Sequence, residues 1–295
     1  MKIAVLGGNG YLGGRVASGI AVDYDTTIIT RRPYFLSDCK NIVVTFNDRL
    51  YESLIDFDVI VNCVGANRAE TELDPKNAIA IKRNLSYSLA KLSKIKKVFV
   101  FHASSKHAYS PIVTEYKNKN KNLHSKGLYA YGHSESEKYL SENFFSANGS
   151  SYQIMRLSNC FGYASTASKE FFNLFLNQLI DGVIKARPLV IENPKITSSF
   201  TPMNIVVDYI KTALIDPFSL NEKIIDIGVP YAFSLGDAAL LIESIFCGDE
   251  EGFRSYLCKS DYGSKFILSN PNYADESWFI GEVKNMRALY SDGLQ

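Results

Sequence analysis

The chain has 295 residues, 46% hydrophobic and 21% charged, which suits one large α/β domain or one with a small companion and excludes a disordered or collagen-like chain. Lys and Arg total 32 against 31 Asp and Glu, a net charge of +1, so neither a nucleic-acid groove nor an anionic membrane surface is expected as a partner. No apolar run approaches the roughly 18 residues of a membrane helix, and the apolar run Ile3–Leu6 is too short for a secretion signal, so the expected location is cytoplasmic.

In chain order, Ile3–Leu6 reads as a buried strand ending in glycines, and Leu12, Val16 and Ile20 form one face of a following helix. Thr26–Thr30 and Ile42–Phe46 read as the second and third strands, and Asp58–Gly65 as a fourth run ending in glycine. Ala78, Ile81, Leu85, Leu89 and Leu92 mark a long helix, Val98–Phe101 a strand, 131–145 a helix and Ile154–Leu157 a strand. Lys117–Lys126 alternates Lys and Asn and reads as a solvated loop. The second half is less regular: an apolar helix over Phe171–Ile180, a strand over Ile224–Ile227, and a capping box at Ser234–Asp237 opening a helix through Phe246. Short apolar strands alternating with helices predict an α/β fold, a doubly wound parallel Rossmann sheet covered on both faces.

The five cysteines (39, 63, 160, 247, 258) are odd in number and scattered, which argues against a disulfide framework and fits a reducing compartment. The four histidines show no His-Glu-x-x-His spacing, so no metal site is expected.

Gly7, Gly10 and Gly13 lie between the first strand and the first helix. Chemistry at that place needs a sharp turn, a backbone that approaches a pyrophosphate without Cβ obstruction, and a helix N-terminus offering free N–H groups. A dinucleotide cofactor is therefore expected. An NAD binder places a carboxylate about 20 residues on, for the ribose 2′-hydroxyl. Here the second strand ends in Thr30-Arg31-Arg32, and two guanidiniums suit a 2′-phosphate, which favours NADP(H) with NAD(H) the alternative.

Several ordered segments together resemble the extended short-chain dehydrogenase/reductase family, in its branch of NAD(P)-dependent sugar-nucleotide epimerases, dehydratases and reductases. They are the glycine loop, Phe46–Leu50, Val61–Ala66, Asn84, Phe101–Tyr109, Tyr131–Ser134, Arg156–Gly162 and Phe200–Asp208, and the resemblance spans about residues 1–245. It implies a dinucleotide domain over 1–162 with a return segment at about 200–230, and a small discontinuous substrate cap over 163–199 and 231–295. It implies cofactor contacts from Gly7, Gly10, Tyr11, Leu12, Gly13, Arg31, Arg32, Asp48, Val64, Gly65, Ala66 and Asn84, and substrate contacts from Ser104 and Asn159. It further implies a nucleotide-sugar substrate and a homodimer formed through the long helices near 76–95 and 131–147.

Family chemistry passes a hydride between nicotinamide and a sugar carbon while a tyrosine carries the alcohol proton. Free tyrosine has a pKa of about 10, so a cation must stabilise its phenolate near neutrality. The family uses a lysine four residues on, in Tyr-x-x-x-Lys, and a serine that holds the sugar oxygen; Ser105 fits the serine. Two tyrosines compete for the other role. Tyr131 places Glu135 at the lysine position, and Tyr129 places His133 there, so neither frame supplies the lysine. His133 is itself a candidate proton carrier, since histidine titrates near neutrality. Lys138 is read as a surface lysine. The expected activity is NADPH-dependent reduction of a 4-keto-6-deoxy nucleotide sugar. The alternatives are an NAD-dependent 4-epimerase or dehydratase, and a cofactor-binding module without turnover.

Overall fold

The structure, a computed structural model, describes residues 1–47, 49–109, 125–165, 174–185, 191, 193–229, 231–247, 258–259 and 277–291. The chain divides into two compact units, Met1–Arg156 with Ala213–Ile225, and Leu157–Thr212 with Asp226–Gln295.

The first unit is built on a seven-stranded parallel sheet of β1 (Lys2–Leu6), β2 (Asp25–Thr30), β3 (Lys40–Val43), β4 (Val59–Asn62), β5 (Phe99–Ser105), β6 (Ser151–Leu157) and β10 (Ile224–Ile227). Its order is β10-β6-β5-β4-β1-β2-β3. Ile3 to Leu6 pair in parallel with β2 on one side and β4 on the other, and all four are fully buried, which is why the strand is a continuous apolar run. The strand order reverses between β1 and β4, and in open α/β sheets ligands bind beyond the strand ends at such a switch point.

Four helices belong to this unit: α1 (Tyr11–Ala21), α2 (Arg68–Leu73), α3 (Pro75–Ile95) and α4 (Ser125–Asn143). The α2 N-terminus is a capping box, in which Asn67 accepts from the Glu70 N–H and Glu70 accepts from the Asn67 N–H. Asp74 accepts from the Asn77 N–H and Pro75 occupies the first turn, so α3 starts directly after α2 ends. Leu85, Leu89 and Leu92 of α3 pack into a core with Leu6, Ile60, Val100, Leu140 and Ile154. Each such side chain contributes about 1.5–3 kcal/mol on burial. Ser86 Oγ of α3 bonds Ser136 Oγ of α4 (2.9 Å) and donates to the Ser136 carbonyl (3.1 Å), so these two helices are tied by hydroxyls where they meet.

Three boundaries differ from the sequence expectation. The third strand runs over Lys40–Val43 rather than 42–46. It is the sheet edge, and Ile42 and Val43 stay exposed, so pairing with β2 sets its ends rather than burial. Helix α4 starts at Ser125, earlier than 131, so Ser125 and Lys126 are helical although the loop reading covered them; residues 117–124 lie outside the described residues. The apolar helix of the second half, α5, spans Phe175–Ile184, and 171–173 lie outside the described residues.

The second unit carries a parallel pair, β7 (Asn159–Phe161) with β9 (Phe200–Pro202). It also has a small antiparallel sheet of β8 (Thr197–Ser198), β11 (Tyr231–Ser234) and β12 (Cys258–Lys259). Helices α6 (Met203–Ala213), α7 (Leu235–Cys247) and α8 (Ser277–Ser291) complete its elements. Ser234 caps α7 by accepting from the Asp237 N–H (3.0 Å). Phe279 of α8 packs between Phe161 and Phe233, with ring centroids 5.0 and 5.3 Å apart. Among the described residues no helix is long and apolar enough to cross a membrane, and no cluster of His, Cys, Asp and Glu is arranged to hold a metal.

Candidate active site

The glycine loop closes the C-terminal end of β1. Gly7 has φ +78°, a left-handed conformation that disfavours a side chain. Its carbonyl accepts from the Gly10 N–H (2.9 Å), and a Cβ on Gly13 would stand 2.2 Å from that carbonyl oxygen. The first turn of α1 is thus pressed against the end of β1. Gly10 is the helix N-cap and has no side chain to satisfy the following N–H groups. The cradle is one that Cβ atoms would fill, and its donors and dipole suit a pyrophosphate, so the residues present fit a dinucleotide. Across the switch point, a Cβ on Gly7 would lie 2.9 Å from Val64 Cγ2, so the loops after β1 and β4 are in close approach. Tyr11 and Leu12 start α1 and are half-buried; Gly65 is exposed and Ala66 half-buried in the β4 loop. Arg31 and Arg32 follow β2 and are exposed. Asp48 lies outside the described residues.

Next to the β4 loop stands a lysine that the sequence reading passed over. Lys82 of α3 is only 4% exposed. Its Nζ lies 2.7 Å from His133 Nε2 on α4, and 5.1 Å from the centroid of the Tyr129 ring. A Cβ on Gly65 would come within 2.9 Å of the same Nζ, so the ammonium reaches the edge of the cofactor crevice. Tyr129 and His133 are one helical turn apart, and their rings meet edge to face at 4.7 Å. On its other side, His133 Nδ1 is 3.4 Å from Ser104 Oγ, at the end of β5. The Ser104 hydroxyl donates to Glu137, and Glu137 accepts a forked pair from Arg156, with Nε bonds of 3.0 and 3.1 Å and an Nη2 bond of 2.5 Å.

Donor logic orders this chain. Ser104 spends its hydrogen on Glu137, so His133 carries its proton on Nδ1 and donates to Ser104 Oγ; its Nε2 lone pair then accepts from Lys82. A second buried group is neutral throughout. Asn62 Nδ2 donates to His102 Nδ1 (2.9 Å), which leaves Nε2–H of His102 to donate to Ser136 Oγ (2.8 Å). Burial, and secondarily the Lys82 charge, pushes the His102 pKa down to about 3. Burial followed by Lys82, His102 and His107 pushes His133 well below the ordinary histidine range. Burial lowers Lys82 to about 7, with the Glu70 carboxylate opposing the shift. The arrangement therefore holds a cation that is half-populated near neutrality, on the face of a tyrosine and beside a neutral imidazole.

Other residues singled out from the sequence are dispersed. Ser105 is buried at the end of β5, where its Oγ accepts from the His107 N–H (3.3 Å). Tyr131 is half-buried and sits about 200° around α4 from Tyr129. Asn84 is exposed, about 200° around α3 from Lys82. Asn159 belongs to the second unit, where its side-chain amide donates to Ser198 Oγ. Lys138 is exposed and pairs with Glu142 (3.8 Å), as a surface lysine does. A signal for Lys82 was available: it falls four residues after Ala78 and three before Leu85, on the buried stripe of α3.

Comparison with solved structures places the same fold over nearly the whole chain. The UDP-N-acetylglucosamine 4-epimerase from Bacillus cereus is 19% identical, with a TM-score of 0.70 over 98% of this chain and 99% of that one. The UDP-glucose 4-epimerase of Thermotoga maritima is 14% identical, with a TM-score of 0.74 over 100% of both chains. TunA, an NAD-dependent NDP-hexosamine 5,6-dehydratase, is 18% identical, with a TM-score of 0.65 over 85% of this chain and 82% of that one. A comparison with curated proteins gives no match. The model of the NAD dependent epimerase/dehydratase family matches residues 3–195, a stretch that takes in the glycine cradle, the β4 loop and the Lys82–His133–Tyr129 group. That covers well over half of the sequence, and the chain belongs to the NAD dependent epimerase/dehydratase family.

Proposed function

We propose that this protein is an NAD(P)-dependent oxidoreductase of nucleotide sugars, reducing a 4-keto-6-deoxy sugar nucleotide at the expense of NADPH. The observation that carries the reading is the meeting of Tyr129, His133 and Lys82 beside the β4 loop, at the sheet edge where the glycine cradle opens. Gly7, Gly10, Tyr11, Leu12 and Gly13 hold the pyrophosphate, Val64, Gly65 and Ala66 line the crevice, and Arg31 and Arg32 take the 2′-phosphate. Asp48 completes the cofactor contacts that the family resemblance implies, whereas Asn84, which the resemblance also implies, is exposed on the face of α3 turned away from Lys82. A reduced nicotinamide, when bound, supplies a hydride. Tyr129 gives its phenolic proton to the keto oxygen, and Ser105 orients that oxygen. A cation populated only in part near pH 7 favours this direction, because a reduction uses the tyrosine as an acid. Ser104 and Asn159 keep the substrate contacts that the family resemblance implies, Tyr131 is the alternative to Tyr129 as proton donor, and α3 and α4 are assigned to a homodimer contact in a cytoplasmic enzyme.

A 4-epimerase that retains NAD is the second reading, supported by the 4-epimerases among the similar structures. The test is nicotinamide absorbance with a panel of keto-sugar nucleotides, for the wild type and Tyr129→Phe. Stoichiometric NADPH oxidation lost in Tyr129→Phe is the expected result. Interconversion of two epimers without net cofactor change supports the second reading. Tight cofactor binding with no turnover on either panel leaves a binding module and overturns both.

A further inference from the structure

We propose that Lys82 is the cation of this site: a positioning residue that crosses from α3 to α4, fixes His133 from one side and sets its charge on the face of the Tyr129 ring. The inference rests on the reading of Tyr129 as the proton donor. It answers the gap that the Tyr129 frame leaves, since His133 occupies the place of the lysine in Tyr-x-x-x-Lys. The cation here is borrowed from the neighbouring helix, and the imidazole has become its bracket.

Geometry and burial carry the argument. Lys82 lies on a stripe whose other members are Ala78, Leu85, Leu89 and Leu92, where an apolar residue would cost nothing to bury. Among the described residues its hydrogen bond goes to His133, and Glu70 acts on it without a direct ion pair. A buried cation without a direct ion pair at a crevice edge marks function more often than structure. The groups around it are named from every side: Tyr129 and His133 on α4, His102 on β5, His107 in the turn after β5, and Glu70 on α2. The histidines are held neutral or compete with it, and Glu70 is the carboxylate that favours its charge. Phenolate formed on Tyr129 therefore meets its counter-charge in Lys82. The role is electrostatic; no proton is transferred through Nζ.

The experiment reads the pair directly. The near-ultraviolet tyrosine band is followed through neutral pH in the wild type, in Tyr129→Phe, in Lys82→Met, and in Lys82→Met with His133→Lys, which returns a lysine to the tyrosine's own helix. The difference between wild type and Tyr129→Phe is expected to show a perturbation of the un-ionised ring with its midpoint near 7, where Lys82 loses its charge, and Lys82→Met is expected to abolish it. In the reductive direction kcat falls as pH rises through the same midpoint; Lys82→Met removes that limb and lowers kcat by about 10–100-fold, and the double variant recovers part of the loss. NADPH affinity changes less than about threefold, because Lys82 is not asked to bind cofactor. A wild-type difference with no perturbation near neutral pH overturns the proposal, and does so even if Lys82→Met fails to fold. A folded Lys82→Met that keeps the perturbation overturns it too. If the perturbation behaves as expected and no keto-sugar nucleotide is turned over, the assigned reaction falls and the assignment of Lys82 stands.

Discussion

Lys82→Met should make the folded protein more stable at neutral pH, and the gain should disappear as pH rises. Burial lowers the folded-state pKa from 10.5 to about 7, so between those values the unfolded chain binds the extra proton. Stability of the wild type therefore rises with pH across that window, at up to about 1.4 kcal/mol per pH unit from this one group. Working the linkage through, charge burial costs about 4 kcal/mol at pH 7 and about 2 kcal/mol less at pH 9. Methionine fills nearly the same volume and removes that cost, while leaving His133 Nε2 without its donor, which costs about 1–3 kcal/mol at every pH. The net expectation at pH 7 is stabilisation by about 1–3 kcal/mol, falling to near zero or below by pH 9. Urea unfolding of both proteins at pH 7, 8 and 9 gives the difference, in which titrating groups not coupled to Lys82 cancel and His102 and His133, held neutral, add little. Parallel stability–pH curves for the two proteins would refute the reasoning, because they would mean that Lys82 titrates alike in the folded and unfolded chains.

Three further outcomes are expected. Arg31→Ala should weaken NADPH binding by about tenfold or more and leave NADH unchanged within about twofold, measured by nicotinamide fluorescence, since it removes a charge-assisted contact to the 2′-phosphate alone. Gly13→Ala puts a Cβ 2.2 Å from the Gly7 carbonyl oxygen, so α1 must shift away from β1; a loss of about 1–3 kcal/mol in urea unfolding and at least tenfold weaker cofactor binding by calorimetry should follow. His102 is neutral when folded and titrates down to about 3, so its share of stability is complete above about pH 6.5 and is lost as pH falls toward 3. In His102→Gln the acid limb of the stability curve should flatten by up to about one proton's slope, read from unfolding midpoints between pH 4 and 6.5.

The parallel sheet was legible because its central strands are buried on both faces. Ile3–Leu6 and Val59–Ile60 leave nothing for solvent, so burial writes them as apolar runs and the flanking glycines close them. The edge strand β3 was displaced in the reading because Ile42 and Val43 are exposed there, and pairing registers with β2 do not show in hydrophobicity. Helix α4 starts earlier than its pattern indicates because its opening turn holds Ser125, Lys126 and Gly127, residues whose composition continues the polar run before them. Its inner face carries His133, Ser136 and Glu137, whose burial is made possible by partners on α3, β5 and β6 that no local pattern displays.

The candidate site was legible in its frame and illegible in its cation for one physical reason. A sequence motif names residues that one helix brings together, and Tyr129 with His133 is such a pair, four residues apart on α4. Lys82 comes from another helix 51 residues upstream, and the contact exists only because α3 and α4 pack closely. The small Gly132 and the hydroxyls of Ser86 and Ser136 allow that approach: a Cβ on Gly132 would already touch Lys82 Cδ at 3.4 Å. The same packing explains why His133 is tolerated at the lysine position. A lysine at 133 would set a second ammonium against Lys82 in a dry interface, where two like charges a few ångströms apart cannot both be held. Histidine, kept neutral by burial, satisfies Lys82 as an acceptor and Ser104 as a donor at once. Substitution at 133 and the buried lysine at 82 are thus two halves of one arrangement, and each makes physical sense only with the other.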